Sequence, residues 1–344
     1  MEITTEGKAI IKTTKPKVVS KQMEVFYNPV MEINRSLSVL FLKSIPDSKL
    51  RIALPLAASG IRGIRFLKEL PSSKINEINF NDFDYKFKQN LEESLKLNKI
   101  KSTKVKIHNQ DANFFLLESS GFDYIDIDPF GSPIRFLDSA VKRIARNGIL
   151  AVTATDTSAL CGTYPNACKR KYWATPLRTE IMHEFGLRIL IRRVQLIAAS
   201  YDKALIPIFS YSKDHYMRVF FRCIKGKKEV DKILAQHEPF NDAGPIWTGQ
   251  LCDTTLLTKL ISNSKDAILT KFLKIIKDEA KIKTVGFHDI HQLCKKLKIT
   301  VPKKLRLMKN IKKKGFKVSE THFEPNGLRS NINEKELKKI LKKI

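Results

Sequence analysis

The sequence predicts an α/β fold in which a mostly parallel sheet carries helices on its faces, followed by a smaller, basic α+β domain. Three observations predict it. From Leu50 to about Ile224, short β-rich stretches alternate with helically spaced ones, the order that a parallel sheet with crossover helices requires. Two strand-like runs, ALIPIFSYS and HYMRVFFRCI, then follow one another across a polar connection too short for a parallel crossover, so they should pair antiparallel. Beyond residue 225 the pattern changes to a turn-rich stretch and then to lysine-rich helices.

Taken in order, RIALPLA is the first strand, EINFND the second, TKVKIHN the third and FDYIDID the fourth. IRGIRFLKEL and YKFKQNLEESLKLN separate the first three, with apolar residues at helical spacing. PIRFLDSAVKRIAR, the strand GILAVTAT and a helix over residues 176–199 lead to the closing hairpin. Seven strands with this ending resemble the Rossmann-like sheet of class I S-adenosylmethionine methyltransferases, a likeness of fold that by itself fixes no reaction. In the last third, HDIHQLCKKLKI, VPKKLRLMKNIKKKG and KVSETHF read as helix, turn, helix, strand, a partly winged-helix-like arrangement. The expected division is a first domain over 1–225, with an N-terminal strap, and a basic C-terminal domain over 226–344.

Charge narrows the partners. The 344 residues hold 63 Lys and Arg against 35 Asp and Glu, a net charge of +28, which calls for a polyanion. Residues 271–344 alone hold 22 basic against 7 acidic side chains. Basic segments interleaved with core-like apolar residues, without a long amphipathic Trp/Phe face, disfavour a membrane surface. No apolar stretch is long enough for a spanning helix, and MEITTEGKAIIKTTKPK holds no secretory h-region. Five cysteines without a CxxC pair indicate neither a disulfide framework nor a four-cysteine zinc site, so a reducing, cytoplasmic setting is expected. EIMHEFG is not HExxH and HDIH offers only an i,i+3 pair, so no metal is expected. Cys161 and Cys168 flank a Tyr-Pro turn with no evident base beside them, which favours a structural role.

The chemistry-bearing residues fall at the ends of successive strands. AASGIRGIRF after the first strand puts Gly60 in a small-residue turn where backbone can approach a ligand at a helix N-terminus. Asp82 ends the second strand, placed to accept from ribose hydroxyls; Asp111 follows the third, with Ala112 offering its N–H. Each acid alone is equally a cap or turn residue. Their common place outside the carboxyl edge of a parallel sheet is what makes them a candidate site.

YIDIDPFG delivers Asp128 and Phe130 where the reactive end of such a cofactor would meet a substrate. The lone pair of a base's exocyclic amine is delocalised into the ring. A carboxylate and a backbone carbonyl that accept its protons would orient it for attack on a methyl group, while Phe130 stacks on the base. Asp126, two residues earlier, reads as a supporting residue or part of the strand's polar edge. In VFYNPVMEINRSL, Phe26 and Arg35 allow two readings: a strap with a surface arginine, or a ring opposite Phe130 with Arg35 on a cofactor carboxylate.

The residues resemble the tRNA (guanine-26-N2)-dimethyltransferases, particularly the archaeal type. The likeness runs through VFYNPVMEINR, SGIRGIRF, QDAN, DIDPFGSP, VTATDTSALCGTYPNACKRKYWATPLRTEIMHEFGLRIL, YSKDHYMRVF, GPIWTGQL and THFEPNGLRSN. Residues 152–190 are the most specific, whereas the Asp-Pro-aromatic turn is shared by many amino-methyltransferases. The resemblance implies an S-adenosylmethionine-dependent enzyme with Asp128 catalytic, Phe26 and Phe130 holding a flipped guanine, and Arg35, Arg62, Asp82, Asp111 and Ala112 on the cofactor. It also implies tRNA as partner. The placement of the charge assigns the phosphate contacts to Lys303, Lys304, Arg306 and Lys312, Lys313 and Lys314, with Arg170, Lys171 and Arg178 in the first domain as the path if that basic face is idle. A monomer without a protein partner is the default. Leu54-Pro55 stands where the family commonly has an acid, and the paired cysteines with which some members bind zinc are missing. An adenine-N6 or glutamine-N5 methyltransferase and a non-catalytic tRNA-binding protein are the alternatives.

Overall fold

The computed structural model describes residues 2–13 and 26–344. These form two compact units. Unit 1 comprises residues 2–13 and 26–155 together with 194–206 and 218–234; unit 2 comprises 156–193, 207–217 and 235–344. The division differs from a single break at 225/226, because the chain passes from one unit to the other several times. Residues 156–193 join the C-terminal part rather than the sheet domain.

Unit 1 holds five whole strands of a seven-stranded sheet, together with the first residues of its strand over Lys203–Lys213 and most of that over Tyr216–Lys225. Its first strands in the chain, β1 (Glu2–Glu6) and β2 (Ala9–Thr13), form a separate antiparallel hairpin. Helix α1 (Glu32–Ser44) precedes the sheet strands β3 (Leu50–Leu54), β4 (Ile75–Asn81), β5 (Val105–His108), β6 (Phe122–Ile127) and β7 (Ile144–Ala154). Helices α2 (Ile61–Glu69), α3 (Phe87–Leu97), α4 (Ala112–Glu118) and α5 (Ile134–Arg143) alternate with them. With β8 over Lys203–Lys213 and β9 over Tyr216–Lys225, the sheet order is β5-β4-β3-β6-β7-β9-β8, and the pairs β5–β4, β4–β3, β3–β6 and β6–β7 are parallel. Strands β8 and β9 are neighbours joined by two residues, a connection that only an antiparallel hairpin accommodates. The expected strands are therefore present, and the order reverses between β3 and β6, the switch point outside which ligands of such sheets bind.

The core follows from the strand sequences. Ile52, Ala53, Ile78, Phe80, Ile125, Ile127, Leu150 and Val152 are fully buried, since a parallel sheet covered on both faces needs near-continuous apolar strands. Helix α4 is not among the sequence-predicted elements, because NFFLLE shows an apolar run rather than a helical period; Asp111 caps it. The helix expected over 176–199, α8 (Met182–Ala199), starts six residues late. Pro176 and the bridge of Thr175 to Gly244 hold the preceding chain extended.

Unit 2 contains α6 (Thr157–Leu160), α7 (Pro165–Tyr172), the hairpin β10 (His237–Phe240) and β11 (Ala243–Trp247), and α10 (Thr254–Asn263); α9 (Lys227–Leu234) belongs to unit 1. There follow α11 (Ala267–Ala280), β12 (His288–Asp289), α12 (Ile290–Leu297), α13 (Lys304–Lys313), β13 (Val318–Glu320), β14 (Gly327–Ser330) and α14 (Glu334–Leu341), with sheet order β12-β14-β13. The expected run of helix, turn, helix and strand is α12, α13 and β13. Buried Glu184 on α8 accepts from Arg188 Nε at 2.9 Å, Arg329 Nη2 at 2.6 Å and the Gly286 N–H at 3.0 Å. Burial pushes its carboxyl upward, yet Arg329 and Arg188 outweigh this and hold it at about 2. Two stretches that carry the family resemblance, EIMHEFGLR and THFEPNGLRSN, meet at this ion-pair cluster.

Candidate active site

The site residues of unit 1 lie where β3, β4, β5 and β6 end. After β3 the chain turns through Ala58 and Gly60, both at positive φ, and Gly60 begins α2 in the left-handed region at φ 75°. At φ 75°, a conformation that L side chains rarely adopt, glycine suits the turn, and a Cβ there would also crowd Leu91 Cδ1 at 2.4 Å. Asp82 Oδ2 accepts the Ala58 N–H at 2.7 Å, and Oδ1 accepts that of Asp84 at 3.2 Å. The first bond clamps the ends of β3 and β4 together, and both leave lone pairs on the two oxygens for hydroxyl donors. Burial raises the Asp82 carboxyl above its usual value, partly opposed by the backbone donors. Asp111 spends Oδ1 on the Asn113 N–H at 2.8 Å and the Phe114 N–H at 3.3 Å as the cap of α4, and buried Ala112 is the first residue of that helix.

An uncovered aromatic edge accompanies these acids. Phe83, Tyr85 and Phe114 are 78%, 81% and 67% exposed and sit beside Asp82 and Asp111 in the chain, where a soluble fold would ordinarily place polar turn residues. Carboxylates that accept from hydroxyl groups, a first-turn N–H that donates and apolar rings for a purine are the groups a nucleoside cofactor needs, so these residues fit S-adenosylmethionine. Leu54, in place of the family's acid, is buried; Pro55 offers only its carbonyl, which accepts from Asn81 Nδ2 at 2.9 Å.

Arg35 is not the surface arginine of the strap reading. It is buried and its guanidinium ion-pairs with Glu6 of β1, with Nε 2.7 Å from Oε1, while Nη2 also donates to the Asn28 carbonyl at 3.0 Å. Arg65 Nη1 donates to Glu6 Oε1 at 2.9 Å and the Tyr27 hydroxyl to Oε2 at 3.0 Å. Burial pushes the Glu6 carboxyl up, but Arg35 and Arg65 outweigh it and leave it low. The role of Glu6 is invisible in the sequence because its partners lie 29 and 59 positions away. The signal that does exist is EITTE-GK-AIIKT, two alternating runs across a two-residue turn with Gly7 at φ 56°. Val25, in the strap motif, lies outside the described residues.

Beyond β6, Asp128 is part-buried and forms an ion pair with Arg62 Nη2. Arg62 Nη1 donates to Ser38 Oγ at 2.8 Å and stands 3.6 Å from Asp126 Oδ2. Asp126 is a buried anion rather than part of a polar strand edge. Arg218, fully buried on β9, donates Nη1 to Oδ1 at 2.8 Å and Nη2 to Oδ2 at 2.7 Å, and Tyr124 adds its hydroxyl at 2.7 Å. Desolvation alone would raise the Asp126 carboxyl; Arg218 and Arg62 bring it below its usual value. Arg218 and Ser38 are not among the sequence-predicted site residues, although an arginine inside the apolar run YMRVFF is itself a sign of a buried partner.

The turn after Asp128 is pinned to β7: the Gly131 N–H donates to Thr155 Oγ1 at 2.7 Å and the Thr155 N–H to the Gly131 carbonyl at 3.0 Å. Pinning leaves Phe130 54% exposed. Phe26 meets it, with ring centroids 5.8 Å apart at 78°. The two rings touch edge to face, so a base entering between them has to part them.

Elsewhere, Cys161 Sγ lies 3.5 Å from His183 Nδ1, a base that the sequence does not reveal. Burial nevertheless pushes the thiol up to about 12, so it stays protonated and is no nucleophile at neutral pH. Among the described residues no group of three His, Cys, Asp or Glu side chains could hold a metal ion. Of the residues expected to meet tRNA, Lys303, Arg306, Lys312, Lys313 and Lys314 are exposed. Lys304 is not free: its Nζ pairs with Glu320 at 3.0 Å and donates to the Pro325 carbonyl at 2.6 Å.

A seven-stranded sheet of this order, with carboxylates at successive strand ends and an Asp-Pro-Phe turn at the switch point, is that of a class I methyltransferase. The chain belongs to the N2,N2-dimethylguanosine tRNA methyltransferase family, whose sequence profile matches residues 7–238 and 234–342. It is 38% identical over 384 aligned positions to the tRNA (guanine(26)-N(2)/guanine(27)-N(2))-dimethyltransferase of Aquifex aeolicus, covering 100% of this chain and 96% of that one. It is also 38% identical to the tRNA (guanine(26)-N(2))-dimethyltransferase of Pyrococcus abyssi, covering 95% and 94%. The structure matches Trm1 from Pyrococcus horikoshii in complex with S-adenosyl-L-methionine, with a TM-score of 0.90, 32% identity, and 99% and 100% of the two chains covered.

Proposed function

We propose that this chain dimethylates the exocyclic N2 of guanine 26 in tRNA, with S-adenosylmethionine as methyl donor. The observation that carries the reading is full-length membership of the family together with an Asp128 carboxylate two residues before Phe130, whose ring meets that of Phe26. The cofactor supplies an electrophilic methyl group on its sulfonium when bound; Asp82, Asp111, the Ala112 N–H and the Gly60 turn would hold its nucleoside. Arg62 and Arg35 are the cations available to its carboxylate, and each would have to share or exchange its present anion.

Asp128 does the work on the substrate side. Arg62 contacts its Oδ2, which leaves Oδ1 to accept one N–H of the guanine amine, to orient the nitrogen lone pair toward the methyl carbon and to take the proton that nitrogen loses. Holding the two reacting atoms in line supplies most of the rate. The second transfer requires a second molecule of cofactor, a pocket that accepts the singly methylated amine, and an Asp128 that has passed its first proton to solvent and can accept the remaining N–H. Phe26 and Phe130 would grip the flipped guanine, and Phe26→Ala or Phe130→Ala should each cost about 1–3 kcal/mol of base capture, read as loss of kcat/KM with tRNA. If both variants keep the parent's kcat/KM, the rings do not hold the base.

For the cofactor, Asp82→Ala and Arg35→Ala should weaken S-adenosylmethionine binding in calorimetry. Asp82 would lose its hydroxyl contacts and its clamp on the β3 turn. Arg35→Ala also takes from buried Glu6 one of its two arginines, leaving Arg65 and the Tyr27 hydroxyl, so circular dichroism is needed beside calorimetry: a folded variant with unchanged affinity would remove Arg35 from the site. The reading takes the chain to act as a monomer in the cytoplasm, where a reducing environment suits five buried free cysteines. A transcript with adenine at position 26 tests the target, because it should accept no methyl groups. Methylation equal to that of the guanine-26 transcript would contradict the position.

A further inference from the structure

Unit 2 carries a groove that neither the cofactor nor the reacting base requires. It has a volume of about 1190 Å³ and lies between α11 on one side and α13 with the segment 315–320 on the other. Six lysines line it: Lys265, Lys271, Lys274, Lys281, Lys312 and Lys317. All six are exposed. Three acids share the lining, and each already has a partner. Asp266 caps α11, Asp278 pairs with Lys281 at 2.7 Å, and Glu320 pairs with Lys304 at 3.0 Å. Lys265, Lys271, Lys274, Lys312 and Lys317 therefore have no ion pair among the described residues.

Like charges gathered in one concavity repel one another, and a polyanion relieves that repulsion while releasing its own condensed counterions. The charges are arranged along a line as well. On α11 and its C-terminal cap, Lys271, Lys274 and Lys281 follow one another over ten residues, about 15 Å at 1.5 Å per residue, long enough to track several successive phosphates of one strand. Lys312 and Lys317 make the opposite wall basic too. Between them the lining is apolar, with half-buried Ile275, Met308 and Phe316 and with Leu305, which is 80% exposed. A flat lipid surface cannot enter a concave floor, whereas a single RNA backbone with its sugars can.

We propose that this groove seats a phosphodiester strand of the tRNA, independently of sequence, and that the α11 lysines contact it as directly as the exposed end of α13. The proposal rests on the reading of the chain as a tRNA methyltransferase and adds the path of the RNA. It also assigns Lys265, Lys271, Lys274, Lys281 and Lys317, which that reading leaves without a role.

The test compares the parent with Lys271→Gln/Lys274→Gln and with Lys303→Gln/Arg306→Gln, by fluorescence anisotropy of labelled unmodified tRNA at several salt concentrations. Removing one lysine that neutralises a phosphate should lower the log-log salt slope by about 0.7–0.9, so the α11 double variant should fall below the parent by roughly 1.4–1.8. S-adenosylmethionine affinity and Tm should stay those of the parent, since both substitutions are on the surface. A parent that binds and methylates tRNA, beside an α11 variant with an unchanged slope, overturns the groove and leaves the methyltransferase reading standing. A parent that neither binds nor methylates tRNA overturns that reading, and the groove falls with it. Anionic phosphatidylserine vesicles are the control, and vesicle binding that competes with tRNA and vanishes in the α11 variant would also overturn the proposal.

Discussion

Asp128→Ala should lose nearly all methyl transfer, on the order of 10²–10⁴-fold in kcat, while S-adenosylmethionine still binds. Asp128 stands two residues before Phe130 and is assigned no part of the nucleoside contacts, so its loss falls on the amine. The fold should tolerate the change. Arg62, released from Asp128, keeps Ser38 at 2.8 Å and Asp126 at 3.6 Å, and so is not stranded. Asp128→Asn separates the roles further, because it retains an acceptor oxygen but cannot take the proton; it should bind tRNA like the parent and turn over slowly. Rapid turnover by the alanine variant, measured with saturating cofactor and tRNA, would remove Asp128 from the reaction.

Arg218→Met should cause a severe loss of stability. The side chain is fully buried and is the main counter-charge of Asp126, with two bonds of 2.8 and 2.7 Å, and it also donates to Thr153 Oγ1 at 2.8 Å and Ser38 Oγ at 3.2 Å. Removing one partner of a buried pair leaves an uncompensated charge, which typically costs about 3–5 kcal/mol. The sign with pH follows from the low Asp126 carboxyl. The stabilisation is present above its unfolded value and is lost as pH falls through the folded one, so the gap between parent and variant should narrow in acid. Urea unfolding of Arg218→Met beside Arg218→Met/Asp126→Leu measures it. The double variant should recover part of the loss, because no lone charge remains. Equal stability of Arg218→Met and the parent would mean that the pair holds nothing together.

The sheet is legible in the sequence because its signals are local. RIALPLA, EINFND, TKVKIHN and FDYIDID each carry their own β-pattern, and Asp82, Asp111 and Asp128 stand at strand ends that the same pattern locates. What the sequence does not reveal depends on partners distant in the chain. Glu6 finds Arg35 and Arg65, and Asp126 finds Arg218 across 92 positions; no periodicity announces such pairs. For the same reason the ion pairs that occupy Arg35 and Arg62 are not foreseeable, since a cation suited to a cofactor carboxylate is equally suited to a buried glutamate. The break expected at residue 225 rests on a different kind of signal. A change in composition marks where the basic helices begin, but it does not reveal that residues 156–193 fold with them.

Incubation of the purified chain with methyl-labelled S-adenosylmethionine and unmodified tRNA, sampled over time and digested to nucleosides, tests the central claim most directly. N2-methylguanosine should appear first and then be consumed as N2,N2-dimethylguanosine accumulates, with two labels per tRNA at completion. Label in N6-methyladenosine or in protein glutamine, or tRNA that binds without acquiring label, would contradict the account.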